Sequence, residues 1–252
     1  METSNPLKIG IYGYGKMGKA VEQVALAHGD ILVWKVTSTT SSSLTDDMIR
    51  QADVVIEFSQ PDAAMSNITR CLHAGVRVIS GTTGWDHQKP RVHQLTMEKQ
   101  LAFLQASNFS IGVNLFFALN AYLARLITPH PDYRVRLEET HHIQKKDAPS
   151  GTAITLADRI ISASEGRYDS WHLSPAEGDR ETSVPILAHR VDDVPGTHTV
   201  TWSSAIDDLV LTHQAKSRDG FARGAWLAAH WIRDKHGLFT MADVLDLDRT
   251  AD

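Results

Sequence analysis

From residue 7 to about residue 106, short β-rich runs take turns with helical ones, and few folds accept that pattern. "LKIGIY" (7–12) reads as a strand and "KMGKAVEQVALAHG" (16–29) as a helix, with Gly29 as its stop signal. "ILVWKV" is the next strand. "ADVVIEF" (52–58), "VRVIS" (76–80) and "LAFLQA" (101–106) are three more, with helical stretches over 61–74 and 86–99 between them. Alternation at this spacing implies a parallel sheet covered on both faces. Right-handed crossovers then give a doubly wound α/β fold.

The pattern changes after about residue 110. A helix over 113–127 leads to the strand-like "YRVRLEETHHI" (133–143), and a further helix is expected over 151–163. "VPILAHRV", "THTVTWSS" and "DDLVLTHQA" then read as strands, with "DDVPG" (192–196) a turn between the first two. Consecutive strands on short connections imply an antiparallel or mixed sheet, hence a second, α+β domain. The last helical segment, "FARGAWLAAHWIRDKHG", returns to the composition of the first half. The expected domains are therefore 1–110 with 218–252, and 111–217.

"IYGYGKMG" sets Gly13, Gly15 and Gly18 in the order G-x-G-x-x-G between the first strand and the first helix. There the glycines allow a tight turn, close approach of a pyrophosphate, and close helix–strand packing. The helix N-terminus adds free N–H groups and a positive dipole end. A dinucleotide site is expected. Sites that take NAD usually carry an acid at the end of the second strand, yet "WKVTSTTSSS" (34–43) has none. Lys35, Ser38, Thr39 and Thr40 would accommodate a 2′-phosphate there, so NADPH is slightly favoured over NADH. "GTTGW" (81–85) and "ASNFS" (106–110) directly follow strands, at the sheet edge where such folds bind ligands; on residue type alone they are equally readable as ordinary turns.

"HHIQKKDAPSGTA" (141–153) is the densest chemistry in the chain. If the strand before it stays extended, His141 shares a face with Val135, Leu137 and Glu139, while His142 points the other way. An imidazole can exchange a proton near neutral pH. Lys145 and Lys146 add positive charge. Ser150 is a good N-cap for the helix that follows, and Gly151 leaves its first-turn N–H groups open to an anion. Basic side chains facing a helix N-terminus make a site for carboxylate or phosphate. Adjacent strand histidines diverge, and no spaced His–Glu helix motif lies nearby, so no metal is expected. The remaining histidines read as structural, and Trp226 and Trp231 as core.

Composition narrows the partners. A net charge of -5 fits neither nucleic acid nor an anionic membrane. No apolar run approaches the roughly 20 residues of a membrane span, and the N-terminus shows no secretory signal pattern. Cys71 is the single cysteine, which excludes an internal disulfide. A cytoplasmic location is expected.

The motifs "GYGKMG", "EFSQPD", "GTTGW", "ASNFSIGVN" and above all "EETHHIQKKDAPSGTA" resemble those of the dihydrodipicolinate reductases of bacterial diaminopimelate and lysine synthesis, nearly end to end. The resemblance implies a Rossmann cofactor domain completed by the C-terminal segment, and a central substrate domain whose sheet builds a homotetramer. It also implies reduction of a cyclic imine dicarboxylate by NADPH or NADH, with closure of the domains on binding. By position, His141 matches the catalytic proton donor and Lys145 the second catalytic residue. His142, Ser150, Gly151 and Thr152 match the groups that bind the substrate carboxylates. Gly13, Tyr14, Gly15, Lys16, Met17 and Gly18 match cofactor contacts, as do Gly81, Thr82 and Thr83, then Ala106, Ser107, Asn108 and Phe109. Arg218 and Phe221 of "KSRDGF" are weaker matches. Two departures stand out: the acid after the second strand is missing, and the stretch from Glu165 to Pro185 is short.

Overall fold

The computed structural model describes residues 5–175, 180–192, 194–217 and 219–247. Its backbone contacts divide the chain into two units. One takes the chain as far as Ile111 and resumes at Asp219; the other begins at Gly112 and is built from the segment between.

The first unit opens with β1 (Lys8–Tyr12), α1 (Lys16–Ala27), β2 (Ile31–Val36), the short α2 (Asp46–Ile49) and β3 (Val54–Glu57). It continues through α3 (Pro61–His73), β4 (Arg77–Ser80), α4 (Lys89–Glu98) and β5 (Ala102–Gln105). The second unit holds all but the first residue of α5 (Ile111–Ile127), then β6 (Arg134–His141), α6 (Gly151–Ala163), β7 (Ser170–Ser174), β8 (Ser183–Arg190), β9 (Thr197–Ser203) and β10 (Asp208–Gln214). The chain then returns as α7 (Asp219–Ile232), β11 (Gly237–Phe239) and α8 (Met241–Leu245).

The first sheet is parallel throughout, in the order β11-β5-β4-β3-β1-β2. Its four central strands are largely buried on both faces, and successive residues serve opposite layers. Ile9, Ile11, Val54 and Ile56 pack with Val21 of α1 and with Ala222, Ala225 and Ala229 of α7. Tyr12, Val55 and Val78 point the other way, onto Ile68 and Leu72 of α3 and Val92 of α4. Trp226 and Trp231 pack at the edge of the first layer. The helix expected to run to residue 237 ends at Ile232, and Gly237–Phe239 adds a short sixth strand beside β5 instead.

The second sheet is mixed, in the order β10-β9-β6-β8-β7. Strand β6 runs antiparallel to β9 and parallel to β8. Helices cover one face: Val135, Leu137, Val184, Ile186, Val200 and Trp202 pack under Phe116 and Phe117 of α5 and Leu156 and Ile160 of α6. Asn120, fully buried, donates to the Leu156 carbonyl at 3.0 Å and fastens α5 to α6. Strand β7, not expected from the sequence, lies at the sheet edge, where its half-buried residues show no clean alternation. No described helix is long and apolar enough to cross a membrane.

Candidate active site

In the first unit, each glycine of the loop after β1 meets a different demand. Gly13 has φ +86°, and a Cβ there would fall 2.1 Å from the Phe58 carbonyl oxygen, so only glycine fits the turn. At Gly18 a Cβ would come within 2.7 Å of the Gly13 oxygen, which lets α1 sit tightly against the loop. A Cβ on Gly15 would meet nothing within 4 Å. That clearance lies at the N-terminus of α1, which no side chain caps and no acid occupies. A pyrophosphate fits there, held by backbone N–H groups. Lys16 is exposed, and Met17 and Tyr14 are half-buried around it. A cavity of about 320 Å³ runs from Gly13 and Gly15 to Thr37 and Ser38 at the end of β2, and to Phe58 and Gln60 after β3. Strand β1 stands between β2 and β3, so this cavity lies at the sheet's topological switch point.

The expected 2′-phosphate cation is only partly available. The Lys35 ammonium lies 2.7 Å from Glu22 and 3.0 Å from the Tyr14 hydroxyl. Its charge is therefore shared with α1. The Thr37, Thr39 and Thr40 hydroxyls hydrogen-bond one another, at 2.8 and 3.1 Å.

Glu57, wholly buried at the end of β3, binds the neighbouring loops together. Its carboxylate accepts from the Ser59 N–H at 2.8 Å, the Ser80 hydroxyl at 2.6 Å and the Thr82 hydroxyl at 2.9 Å. Gly81 lets the Phe58 ring lie against the β4 exit, where a Cβ would be 2.1 Å from the ring. Phe109 is buried edge-on against Phe58, with centroids 5.6 Å apart, and Asn108 accepts from the Ser110 N–H at 2.8 Å. The Ala106 N–H bonds the Ser80 carbonyl at 3.1 Å. Of these loop residues Thr83 and Ser107 are exposed, whereas Thr82, Asn108 and Phe109 are buried. The latter three shape the loops from beneath. All thirteen residues expected to contact a cofactor lie in this unit, in the first turn of α1 and the loops after β1, β4 and β5. Phe221 stands half-buried in the first turn of α7; Arg218 lies outside the described residues.

In the second unit, alternation places the chemistry as expected: Val135, Leu137, Glu139 and His141 are all buried on the helix-covered face of β6. Glu139 is at the centre. The Ser150 N–H donates to both of its oxygens at 3.1 Å, and the Arg190 guanidinium stands 3.4 Å from Oε1. Oε2 lies 3.6 Å from His141 Nδ1 and 3.6 Å from His198 Nε2. Burial alone would raise the Glu139 pKa, but His198, Ser150 and His141 outweigh it and hold the carboxyl at about 2. His141 moves the opposite way. Burial, then His198, then Lys145 and Arg190, against the pull of Glu139, lower it to about 4. At neutral pH the ligand-free imidazole is uncharged. Gly196, at φ +153°, packs on its outer edge, where a Cβ would be 3.1 Å from Nε2.

Ser150 caps α6, accepting from the Ala153 N–H at 3.2 Å, and its hydroxyl also meets His198 Nε2 at 3.2 Å. The side chain is thus turned inward, and Gly151, exposed, and Thr152, half-buried, form the outer rim of the helix start. The Lys145 ammonium pairs with Asp147 at 2.7 Å. His142 is half-buried and lines a cavity of about 320 Å³ with Gln144, Asp192, Val194 and Ser217.

Glu139, His141 and His198 bring ligand-type atoms within 4.8 Å of one another, a donor set that a divalent metal can use. Arg190 already supplies a positive charge to that carboxylate, and its company is that of a proton-carrying cluster. The sequence reading missed His198, counting it among the structural histidines, along with Arg190 and Gly196. One signal was present: in "THTVTW", His198 alternates into the same face as Val200 and Trp202.

A parallel sheet with a glycine loop at its switch point, joined to a mixed sheet carrying buried imidazoles, defines the class of Rossmann-type nicotinamide oxidoreductases. Within that class, residues 7–109 match the model of the dihydrodipicolinate reductase N-terminus, and residues 112–245 that of its C-terminus. The 4-hydroxy-tetrahydrodipicolinate reductase of Christiangramia forsetii is 44% identical over 95% of this chain and 98% of its own. That of Neisseria meningitidis is 32% identical over 96% and 98%. A dipicolinate-bound dihydrodipicolinate reductase from Paenisporosarcina sp. TG-14 superposes with a TM-score of 0.74 at 21% identity, covering 95% of this chain and 99% of that one. The chain belongs to the dihydrodipicolinate reductase family, enzymes that use NAD(P)H in lysine and diaminopimelate synthesis.

Proposed function

We propose that this chain reduces 4-hydroxy-tetrahydrodipicolinate to tetrahydrodipicolinate with release of water, His141 supplying the proton. A bound nicotinamide nucleotide would supply the hydride. Its pyrophosphate is assigned to the α1 N-terminus through Gly13 to Gly18, and its nicotinamide end to the loops holding Gly81 to Thr83 and Ala106 to Phe109. In the second unit, Gly151, Thr152 and the first-turn N–H groups of α6 receive a substrate carboxylate, with His142 and Lys145 beside them. Lys145 would leave Asp147 for the substrate and balance the developing negative charge. Ser150 acts from behind, by holding the helix start in place.

One observation carries this reading: His141 sits at the end of β6 over a buried Glu139, whose second strong partner is the cap of the anion-receiving helix. Proton donor and carboxylate cradle are built on one side chain. His141 is neutral alone, at about 4; a dianionic substrate beside it would raise that value and let it load a proton.

For the nucleotide, the reading is NADPH ahead of NADH. No acid at the end of β2 would repel a 2′-phosphate, and the hydroxyls of Thr37, Ser38 and Ser41 line the cavity. The sharing of Lys35 with Glu22 keeps the margin small. A cytoplasmic homotetramer is proposed, assembled on the second sheet, whose edge strand β10 leaves Leu209 and Val210 41% and 55% exposed.

The test is oxidation of NADPH and NADH by the purified protein, with substrate made in situ from pyruvate and aspartate semialdehyde by the preceding synthase. Oxidation that depends on both precursors is expected, faster with NADPH. Nucleotide binding without oxidation would overturn the assignment.

A further inference from the structure

Behind His141 stands a second imidazole that the proposed reaction leaves unused. His198 faces Glu139 directly across the β6–β9 pair and is 5% exposed. Its ring meets that of His141 edge-on, with centroids 5.0 Å apart. The Nδ1 atoms of both rings are buried and have no hydrogen-bond partner. Both rings approach the same Glu139 oxygen, each at 3.6 Å.

Two imidazoles therefore compete for one carboxylate oxygen, while Arg190 draws on the other at 3.4 Å. A buried cation must be paired to be tolerated. Glu139 carries a single negative charge, on which the partly solvated Arg190 already draws, so the site does not accommodate two imidazoliums. We propose that His198 is a positioning residue for proton transfer: it shares the Glu139 carboxylate with His141, and the pair holds one proton whose place depends on what occupies the α6 N-terminus.

The link to α6 runs through Ser150, whose N–H binds both Glu139 oxygens and whose hydroxyl meets His198 Nε2. An anion at the helix start adds negative charge beside this cluster, next to the residue that binds both oxygens of the carboxylate. The charged and titratable groups facing the pair are Glu139 on β6, Arg190 on β8, Lys145 in the following loop and His213 on β10. The last stands opposite His198 and is itself lowered by burial and by His198. With no anion bound, Lys145 and Arg190 both oppose a charge on His141. A dicarboxylate reverses that balance, so the donor is charged only when there is something to protonate. This rests on His141 being the proton donor.

The test is imidazole NMR of the isotope-labelled full chain. In the wild-type protein, His141 and His198 should not both protonate above about pH 5, and dipicolinate, used as the probe, should raise the His141 midpoint. In His198→Asn the His141 midpoint should rise by about half a pH unit or more, because Glu139 then serves one ring. In Glu139→Gln it should fall. The alkaline limb of the kcat profile should move in the same two directions while NADPH affinity stays constant, which a merely structural role would not produce. Joint protonation of both rings above pH 5, or an unmoved His141 midpoint in His198→Asn, overturns the proposal. Should His198→Asn fail to fold, the wild-type titration and His198→Gln decide it. His141→Gln separates the two readings: retained turnover there refutes His141 as donor, while the NMR still reports whether the carboxylate is shared.

Discussion

Among the described residues each unit buries one glutamate at or near the carboxyl end of a sheet strand, and the two keep different company. Glu57 is met by serine and threonine hydroxyls and a backbone N–H. Glu139 is met by a backbone N–H, a guanidinium and two imidazoles. The first set of partners does not take up or release protons under ordinary conditions, whereas an imidazole can do both. One unit thus uses its carboxylate to hold loops still, the loops to which the proposed reading assigns the nucleotide. The other, on the proposed reading, uses the same kind of side chain to govern protons. What a buried acid does is decided by what it is bonded to.

The sharpest test of that contrast is at His141. His141→Gln should cut turnover by about a thousandfold, within the usual range for loss of a general acid, while nucleotide affinity measured by fluorescence stays as it was. An equal loss of both would erase the division of labour.

Removing the two acids should then cost unequal amounts. Glu139→Ala strands a half-buried guanidinium and should destabilise the fold by about 3 kcal/mol. Glu57→Ala leaves only neutral donors unpaired and should cost about 1–3 kcal/mol. Chemical denaturation would compare them; equal losses would sink the argument.

Acid should find the second unit first. His141 is lowered from 6.5 to about 4 in the fold, so the unfolded chain binds that proton more readily, and stability falls as pH drops through this interval. Glu139, lowered from 4.5 to about 2, adds a further loss below that. Hydrogen exchange across pH 7 to 4 should show β6 and β9 losing protection before β1 and β3. Simultaneous loss would mean that other groups dominate.

The glycine loop offers a finer comparison within one unit. Gly15→Ala should leave stability within about 0.5 kcal/mol, as for other unstrained substitutions, yet weaken NADPH binding about tenfold or more by filling the space of the pyrophosphate. Gly13→Ala should instead destabilise the unit itself, given its positive φ and the Phe58 carbonyl. The smallest effect belongs to Glu22→Gln, which frees Lys35 and should raise the NADPH to NADH rate ratio a few-fold.

Most of the first sheet was legible because its strands are short apolar runs bounded by turn residues. Strand β11 was not, since its three residues follow a helix without a break in composition. Strand β7 escaped because an edge strand needs little apolar patterning. In the site, His141 and Glu139 could be put on one face by alternation alone. The role of His198 could not: it depends on β9 pairing with β6 at one particular register, 59 residues further along the chain, and local pattern carries no record of that. Ser150 was read correctly as a cap, but only the structure shows its hydroxyl turned toward an imidazole.

The layer formed by Ile9 and Ile11 is closed by Ala222, Ala225 and Ala229, which arrive on α7 more than two hundred residues later in synthesis. The second unit is continuous and can assemble as soon as it leaves the ribosome. The parallel sheet must wait, one face bare, until α7 has been made. A chain stopped before α7 would therefore carry the whole second unit beside a half-covered sheet, and on the proposed reading it could not consume reducing power.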